Sequence, residues 1–155
     1  MSEFAGLQSL MTEVDDFIAN ASNFSSYIFE KYKDLNWAGF YMLSGDELIL
    51  GPFQGKPACI RIQLGKGVCG TAAIRRESLV VDNVHQFDGH IACDSASNSE
   101  LVIPLIFNGK LFGVFDVDSP ILSRFDIDIC KEIETGLKFL LENSNMDKIY
   151  AYYNP

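Results

Sequence analysis

The sequence holds no apolar run near the roughly 18 residues that a membrane span needs, so no spanning helix is expected. It is poor in bases, with 12 Lys and Arg against 21 Asp and Glu, a net charge of −9. That balance argues against nucleic acid, whose phosphates are neutralised by Lys and Arg, and against anionic membrane surfaces. It leaves open a small cationic or zwitterionic ligand. The four cysteines, Cys59, Cys69, Cys93 and Cys130, include no CxxC pair, so neither a zinc knuckle nor a thioredoxin-type motif is signalled. Internal repeats, low-complexity segments and linkers are absent. The N-terminal stretch MSEFAGLQSLMTEVDD carries acids and no basic region. It is not expected to be a signal peptide, and a cytoplasmic location is expected. There thiols stay reduced, and disulfides are usually catalytic or redox-sensing.

What is present suits one domain over residues 1–155. The chain is 48% hydrophobic and 21% charged, ordinary for a globular protein with a sizeable core. Phe4, Leu7, Met11, Val14 and Ile18 recur at helical spacing, with Leu10 and Phe17 beside them, and predict a helix over 3–20. A second helix is predicted over 23–34. NWAGFYML (36–43) and ELILGPF (47–53) flank Ser44-Gly45-Asp46 as a hairpin. ACIRIQL (58–64) alternates as a third strand, with Ile60, Ile62 and Leu64 toward the core and Cys59, Arg61 and Gln63 on the polar face. GKGVCGTAAIRRE (65–77) opens with glycines and becomes a helix ending near Arg76. SLVVDN (78–83) reads as a fourth strand, followed by a loop over 84–97. SELVIPLIFNGKLFGVFDVDS (99–119) is two strands joined by Asn108-Gly109, a strong hairpin signal. Ser123 and Asp126 resemble an N-terminal cap box for a last helix carrying Cys130, Ile133, Leu137, Leu140 and Leu141 on one face. Hairpin connections predict a mainly antiparallel sheet, hence an α+β fold with helices covering it.

The cysteines differ in setting. Cys130 falls on an apolar helix face, where a free cysteine acts as a small buried hydrophobe. Cys69 stands at a helix start, whose unpaired N–H groups favour a thiolate, although a small residue beside Gly70 also serves packing. Cys59 shares a polar strand face with Arg61 and Gln63. Cys93 lies in the polar stretch GHIACDSASNSE (89–100), with His90 three residues back and Asp94 beside it. An imidazole would lower its pKa and a carboxylate would raise it. Asp116 and Asp118 share one face of a strand, because side chains alternate, and form either a solvated face or a cation site. Trp37 and Tyr41 likewise share a face, which on strands most often means core and less often a ligand wall.

Together, GKGVCGTAA, VVDNVHQFDGHIACDS, SELVIPL and GVFDVDS resemble the free methionine-(R)-sulfoxide reductases, enzymes built on a single GAF domain. The similarity covers about residues 36–126. Asp88 stands where the family commonly has proline before Gly-His, and Asp82-Asn83-Val84 where Pro-Asp-Val is usual. The resemblance implies a GAF-like, mainly antiparallel sheet of about six strands flanked by N-terminal and C-terminal helices. It implies reduction of free methionine (R)-S-oxide by cysteine thiols. Cys93 aligns with the nucleophile, Cys59 is the first choice of resolving cysteine, and Cys69 is an alternative or second resolver. A sulfenic acid on Cys93 would condense to a disulfide, and thioredoxin would reset it. Trp37 and Tyr41 would line the pocket for the sulfoxide methyl group. Glu100, Asp116 and Asp118 would form an acidic set that grips the substrate ammonium, with Glu100 as proton donor. The substrate carboxylate would meet backbone N–H groups of 93–99, or Ser95, Ser97 and Ser99. His90 becomes a loop-shaping residue. No cofactor and no metal is expected. Homodimers are common in the family, and the aromatic tail MDKIYAYYNP would suit an interface.

Two other readings compete. A non-catalytic GAF sensor would keep the pocket and need no thiols. A metal site from Cys59, Cys69, His90 and Cys93 has ligand types that suit zinc, but its spacings match no compact knuckle.

Overall fold

The structure, a computed structural model, describes residues 4–91 and 95–155. Helices α1 (Ala5–Met11) and α2 (Phe17–Lys31) lead into strands β1 (Trp37–Ser44), β2 (Glu47–Gly55) and β3 (Arg61–Gln63). Helix α3 (Gly67–Arg75) and strand β4 (Leu79–Val81) follow, then a 3-10 turn at Val84–Gln86. Strands β5 (Ser99–Phe107) and β6 (Lys110–Ser119) and helices α4 (Ile127–Glu142) and α5 (Met146–Tyr153) complete the chain. The six strands run in the order β3-β2-β1-β6-β5-β4, and every neighbouring pair is antiparallel. The fold is α+β, as the hairpin signals predict. At Asn108-Gly109 both residues have positive φ (51° and 75°), the backbone twist that a two-residue hairpin turn needs.

Alternation along β1, β5 and β6 divides the interior into two layers. Phe40, Leu101, Ile103, Phe115 and Val117 face a core closed by α1, α2, α4 and α5. Phe24 of α2 sits at its centre, its ring 5.1 Å from Phe115 and 6.0 Å from Phe40, both edge-on. The opposite sheet face packs Trp37, Tyr41, Val102 and Val114 against Val68, Cys69, Ala72 and Ala73 of α3. This second, smaller layer holds the buried acids of the sheet, Glu100, Asp116 and Asp118.

Local differences from the sequence pattern have identifiable causes. The predicted helix over 3–20 is two helices, because Asp16 caps a new one: its carboxylate accepts the N–H of Ala19 at 2.9 Å. The second helix therefore starts at Phe17, and Val14 and Ile18 are exposed. The third strand shrinks to three residues, and Ile60 is 66% exposed rather than core-facing. Residues 56–59 leave the sheet edge, and the carbonyls of Lys56 and Cys59 accept from side chains of β1, as described below. Asp126 caps α4 itself, accepting the N–H of Ile129 at 2.8 Å. Ser123 instead has φ +53° and donates its N–H to Asp82. The aromatic tail folds back as α5 onto its own sheet. There Asn154 donates to the Leu43 carbonyl and accepts the N–H of Gly45.

Candidate active site

The strand register places the candidate residues in rows. Trp37 of β1 stands opposite Asp118 of β6, which stands opposite Glu100 of β5. In the next row on the same face, Gly39 stands opposite Asp116, which stands opposite Val102. Tyr41 continues the β1 face. These side chains form the wall of one cleft, together with Cys69 and the start of α3. Pro57 and Ala58 line one side and His90, Ile91 and Ser97 another. Among the described residues the free space is about 40 Å³, above the roughly 10–15 Å³ that a single water needs.

The aromatic side is tightly set. The Trp37 indole stacks on Phe53 at 5.2 Å and on Tyr41 at 5.8 Å. Gly39 leaves the room for it, since a Cβ there would come within 2.8 Å of the indole. Both aromatic side chains use their polar tips. Trp37 Nε1 donates to the Lys56 carbonyl at 3.1 Å, and the Tyr41 hydroxyl donates to the Cys59 carbonyl at 2.8 Å. The wall therefore also anchors the segment that carries Cys59. Cys59 is half-buried, just before β3, and is in a disulfide.

The acidic side is buried. Cys69, Glu100, Asp116 and Asp118 are each less than a tenth exposed. Cys69 Sγ lies 4.0 Å from Glu100 Oε2, and ligand atoms of Cys69, Glu100 and Asp116 all fall within 4.8 Å of one another. Asp116 Oδ1 is buried without a hydrogen-bond partner among the described residues. Burial, then the Asp116 charge, holds the Glu100 carboxyl well above the usual range. Burial and the Asp118 charge do the same to Asp116. Burial, followed by the Asp116 and Glu100 charges, pushes the Cys69 thiol up. Low-dielectric surroundings and like charges both disfavour ionisation, so this end of the cleft holds protons and is short of positive charge.

Of the sequence-predicted residues, Trp37, Tyr41, Cys69, Glu100, Asp116 and Asp118 converge here, with Cys59 beside them. Cys93 and Asp94 lie outside the described residues. Cys130 is a free buried thiol on the core face of α4, 3.2 Å from Glu134, its pKa pushed up to about 12 by burial and then by that carboxylate. Ser99 is not available to a ligand. It projects from the opposite sheet face and its hydroxyl donates to the Ile121 carbonyl at 2.6 Å. Ser97 lines the cleft and accepts from Asn36 Nδ2 at 3.0 Å, whereas Ser95 is exposed. The His90 ring meets His85 edge-on at 6.4 Å, and burial followed by His85 lowers its pKa. Lys66, which falls within GKGVCGTAA but to which the resemblance gives no role, lines the cleft as well.

A curled antiparallel sheet with its site on the α3 face defines a class. The GAF domain model matches residues 26–133 of the chain. Closer relatives narrow this. The free methionine-R-sulfoxide reductase of Escherichia coli (strain K12) is 48% identical over 92% of this chain and 83% of its own. The enzyme of that name in Saccharomyces cerevisiae is 48% identical over 83% and 76%. The solved free methionine-R-sulfoxide reductase of Neisseria meningitidis, in complex with its substrate, superposes with a TM-score of 0.88. It is 36% identical over 94% of this chain and 87% of that one. The chain belongs to the free methionine-R-sulfoxide reductase family.

Proposed function

We propose that the protein reduces free L-methionine (R)-S-oxide to L-methionine with its own thiols. The observation that carries this reading is the meeting, in one cleft, of an aromatic wall, a buried acidic set and the segment of Cys59, whose sulfur is already in a disulfide. Among the cysteines, Cys69 and Cys130 are free. We assign Cys93 as the partner of Cys59.

In the proposed cycle the Cys93 thiolate attacks the sulfoxide sulfur. The S–O bond breaks, one proton is taken up, methionine leaves, and Cys93 is oxidised to a sulfenic acid. The Cys59 thiol then attacks that sulfenic sulfur, water leaves, and the Cys59–Cys93 disulfide forms. Thioredoxin returns both thiols by exchange. A cytoplasmic setting, where such reductants act, suits the cycle. Glu100 is the proton source for the departing oxygen, kept protonated by its dry site and by Asp116. The indole of Trp37 and the ring of Tyr41 hold the methyl group. Asp116 and Asp118 meet the ammonium, and charge-assisted hydrogen bonds of this kind are worth about 1.5–3 kcal/mol each. Cys69, buried and strongly protonated, is a poor resolving thiol, which favours Cys59.

Incubating reduced protein with free methionine (R)-S-oxide, without recycling reductant, tests this. The expected result is loss of two thiols and release of one methionine per chain, abolished by Cys93→Ser and unaffected by Cys130→Ser. Binding without thiol loss would instead indicate a small-molecule sensor.

A further inference from the structure

Residues 48–76 hold no acid, yet they hold five of the chain's 12 bases, Lys56, Arg61, Lys66, Arg75 and Arg76. The rest of the chain carries the other seven bases and all 21 acids. Cys59 falls inside this basic stretch, so its disulfide sits in a locally positive part of an acidic protein. The three bases nearest to it in sequence, Lys56, Arg61 and Lys66, are exposed. Arg61 pairs with Glu47 at 3.5 Å, whereas Lys56 and Lys66 form no ion pair with a described residue.

Apolar side chains stand among these charges. Ile60, next to Cys59, is 66% exposed. Its backbone is fixed, because its carbonyl accepts the Leu50 N–H at 2.9 Å, so the side chain is presented to solvent from the sheet edge. On the other side of the cleft Ile91 is 40% exposed. It lies over Gly67, where an added Cβ would come within 3.2 Å of it, and so beside Lys66. Exposed isoleucines scattered singly mean little. These two adjoin the redox cysteines: Ile60 follows Cys59, and Ile91 comes two residues before Cys93.

We propose that Ile60 and Ile91, ringed by Lys56, Arg61 and Lys66, form the surface on which the protein reductant docks. This rests on the thioredoxin recycling proposed above and adds the face that recognises it. The partner it fits is a dithiol protein with an apolar surface beside its reactive cysteine and a negative charge around that surface. The isoleucines supply the dry contact and the bases supply steering, since rim charges mainly set the association rate. In the docked complex a thiolate of the reductant attacks one sulfur of the Cys59 disulfide. That S–S bond breaks, a mixed disulfide forms, and the other enzyme sulfur leaves as a thiolate. The second thiol of the reductant then attacks the mixed disulfide. The enzyme is left with two thiols and the reductant with a disulfide, two electrons having passed.

The test compares wild-type protein, Ile60→Ser, Ile60→Leu and Arg61→Gln, recycled either by thioredoxin or by dithiothreitol, which needs no docking surface. Ile60→Ser should raise KM for thioredoxin about tenfold, as loss of an interface contact does, and Ile60→Leu should keep the wild-type value. Turnover with dithiothreitol should be the same in all four proteins. With thioredoxin, wild-type kcat/KM should fall as salt is raised, and Arg61→Gln should lower the value at low salt and flatten that slope. Ile60→Ser and Arg61→Gln proteins that keep the wild-type KM and salt slope, or that lose turnover equally with dithiothreitol, overturn the docking surface and leave the reductase reading intact. A wild type recycled by dithiothreitol but not by thioredoxin overturns the recycling reading itself.

Discussion

The Tyr41 hydroxyl donates a hydrogen bond of 2.8 Å to the backbone carbonyl of Cys59. This single contact joins the proposed substrate wall to the proposed resolving cysteine. Tyr41→Phe removes the donor and keeps the ring. A net hydrogen bond contributes about 0.5–1.5 kcal/mol, so the melting temperature should fall by about 1–6 °C. The first methionine should still be released at the normal rate. Steady-state turnover should slow several-fold, because Cys59 is less well held for its attack. Rapid quench against steady-state rates separates the two.

Glu100 supplies the second prediction. Its carboxyl is held above the usual range by burial and by Asp116, so it loses its proton only as pH rises through the raised value. Turnover should therefore fall on the alkaline side. Glu100→Gln should lower turnover by about 100-fold or more, the usual contribution of a general acid, and should remove that alkaline fall. An unchanged pH–rate profile in Glu100→Gln would exclude Glu100 as the acid.

The same carboxyls link pH to stability. For a group whose folded pKa lies above its unfolded one, the stabilising contribution is complete below the unfolded value and lost as pH rises through the folded value. Glu100 and Asp116 are both of this kind. The protein should melt at higher temperature near pH 5.5 than near pH 8. Asp116→Asn should flatten that slope and stabilise the protein at pH 8 while weakening substrate binding. Melting curves across pH for both proteins provide the check.

Much of this architecture was legible from periodicity and turns. Asn108-Gly109, the alternation in FDVDS and the apolar face of α4 each act locally, so the sequence displays them. The break between α1 and α2 was hidden because the apolar spacing runs on through Val14 and Ile18, and only the capping carboxylate of Asp16 interrupts it. The departure of residues 56–59 from the sheet was invisible for another reason. There Trp37 and Tyr41 bond to the backbone carbonyls of Lys56 and Cys59, contacts that carry no side-chain signature. Lys66 falls within GKGVCGTAA, yet its place on the rim of the acidic cleft follows only from the fold, which brings it beside Asp116, some fifty residues away in sequence.

Gly39 carries the fourth prediction. An alanine there would place its Cβ about 2.8 Å from both the Trp37 indole and the Phe53 backbone, and neither yields cheaply. Gly39→Ala should raise KM for the sulfoxide and lower the melting temperature. Gly6→Ala is the contrast. Nothing lies within 4 Å of its added methyl group, and replacing a helical glycine by alanine gains up to about 1 kcal/mol. It should stabilise the protein and leave turnover unchanged.

The most direct test of the central claim is the identity of the bridged cysteines after one turnover. Fully reduced protein is given free methionine (R)-S-oxide without reductant, and its peptides are mapped unreduced. A Cys59–Cys93 bridge, formed with one methionine per chain, is the predicted result. A bridge through Cys69 or Cys130, or methionine released with all thiols intact, would contradict it.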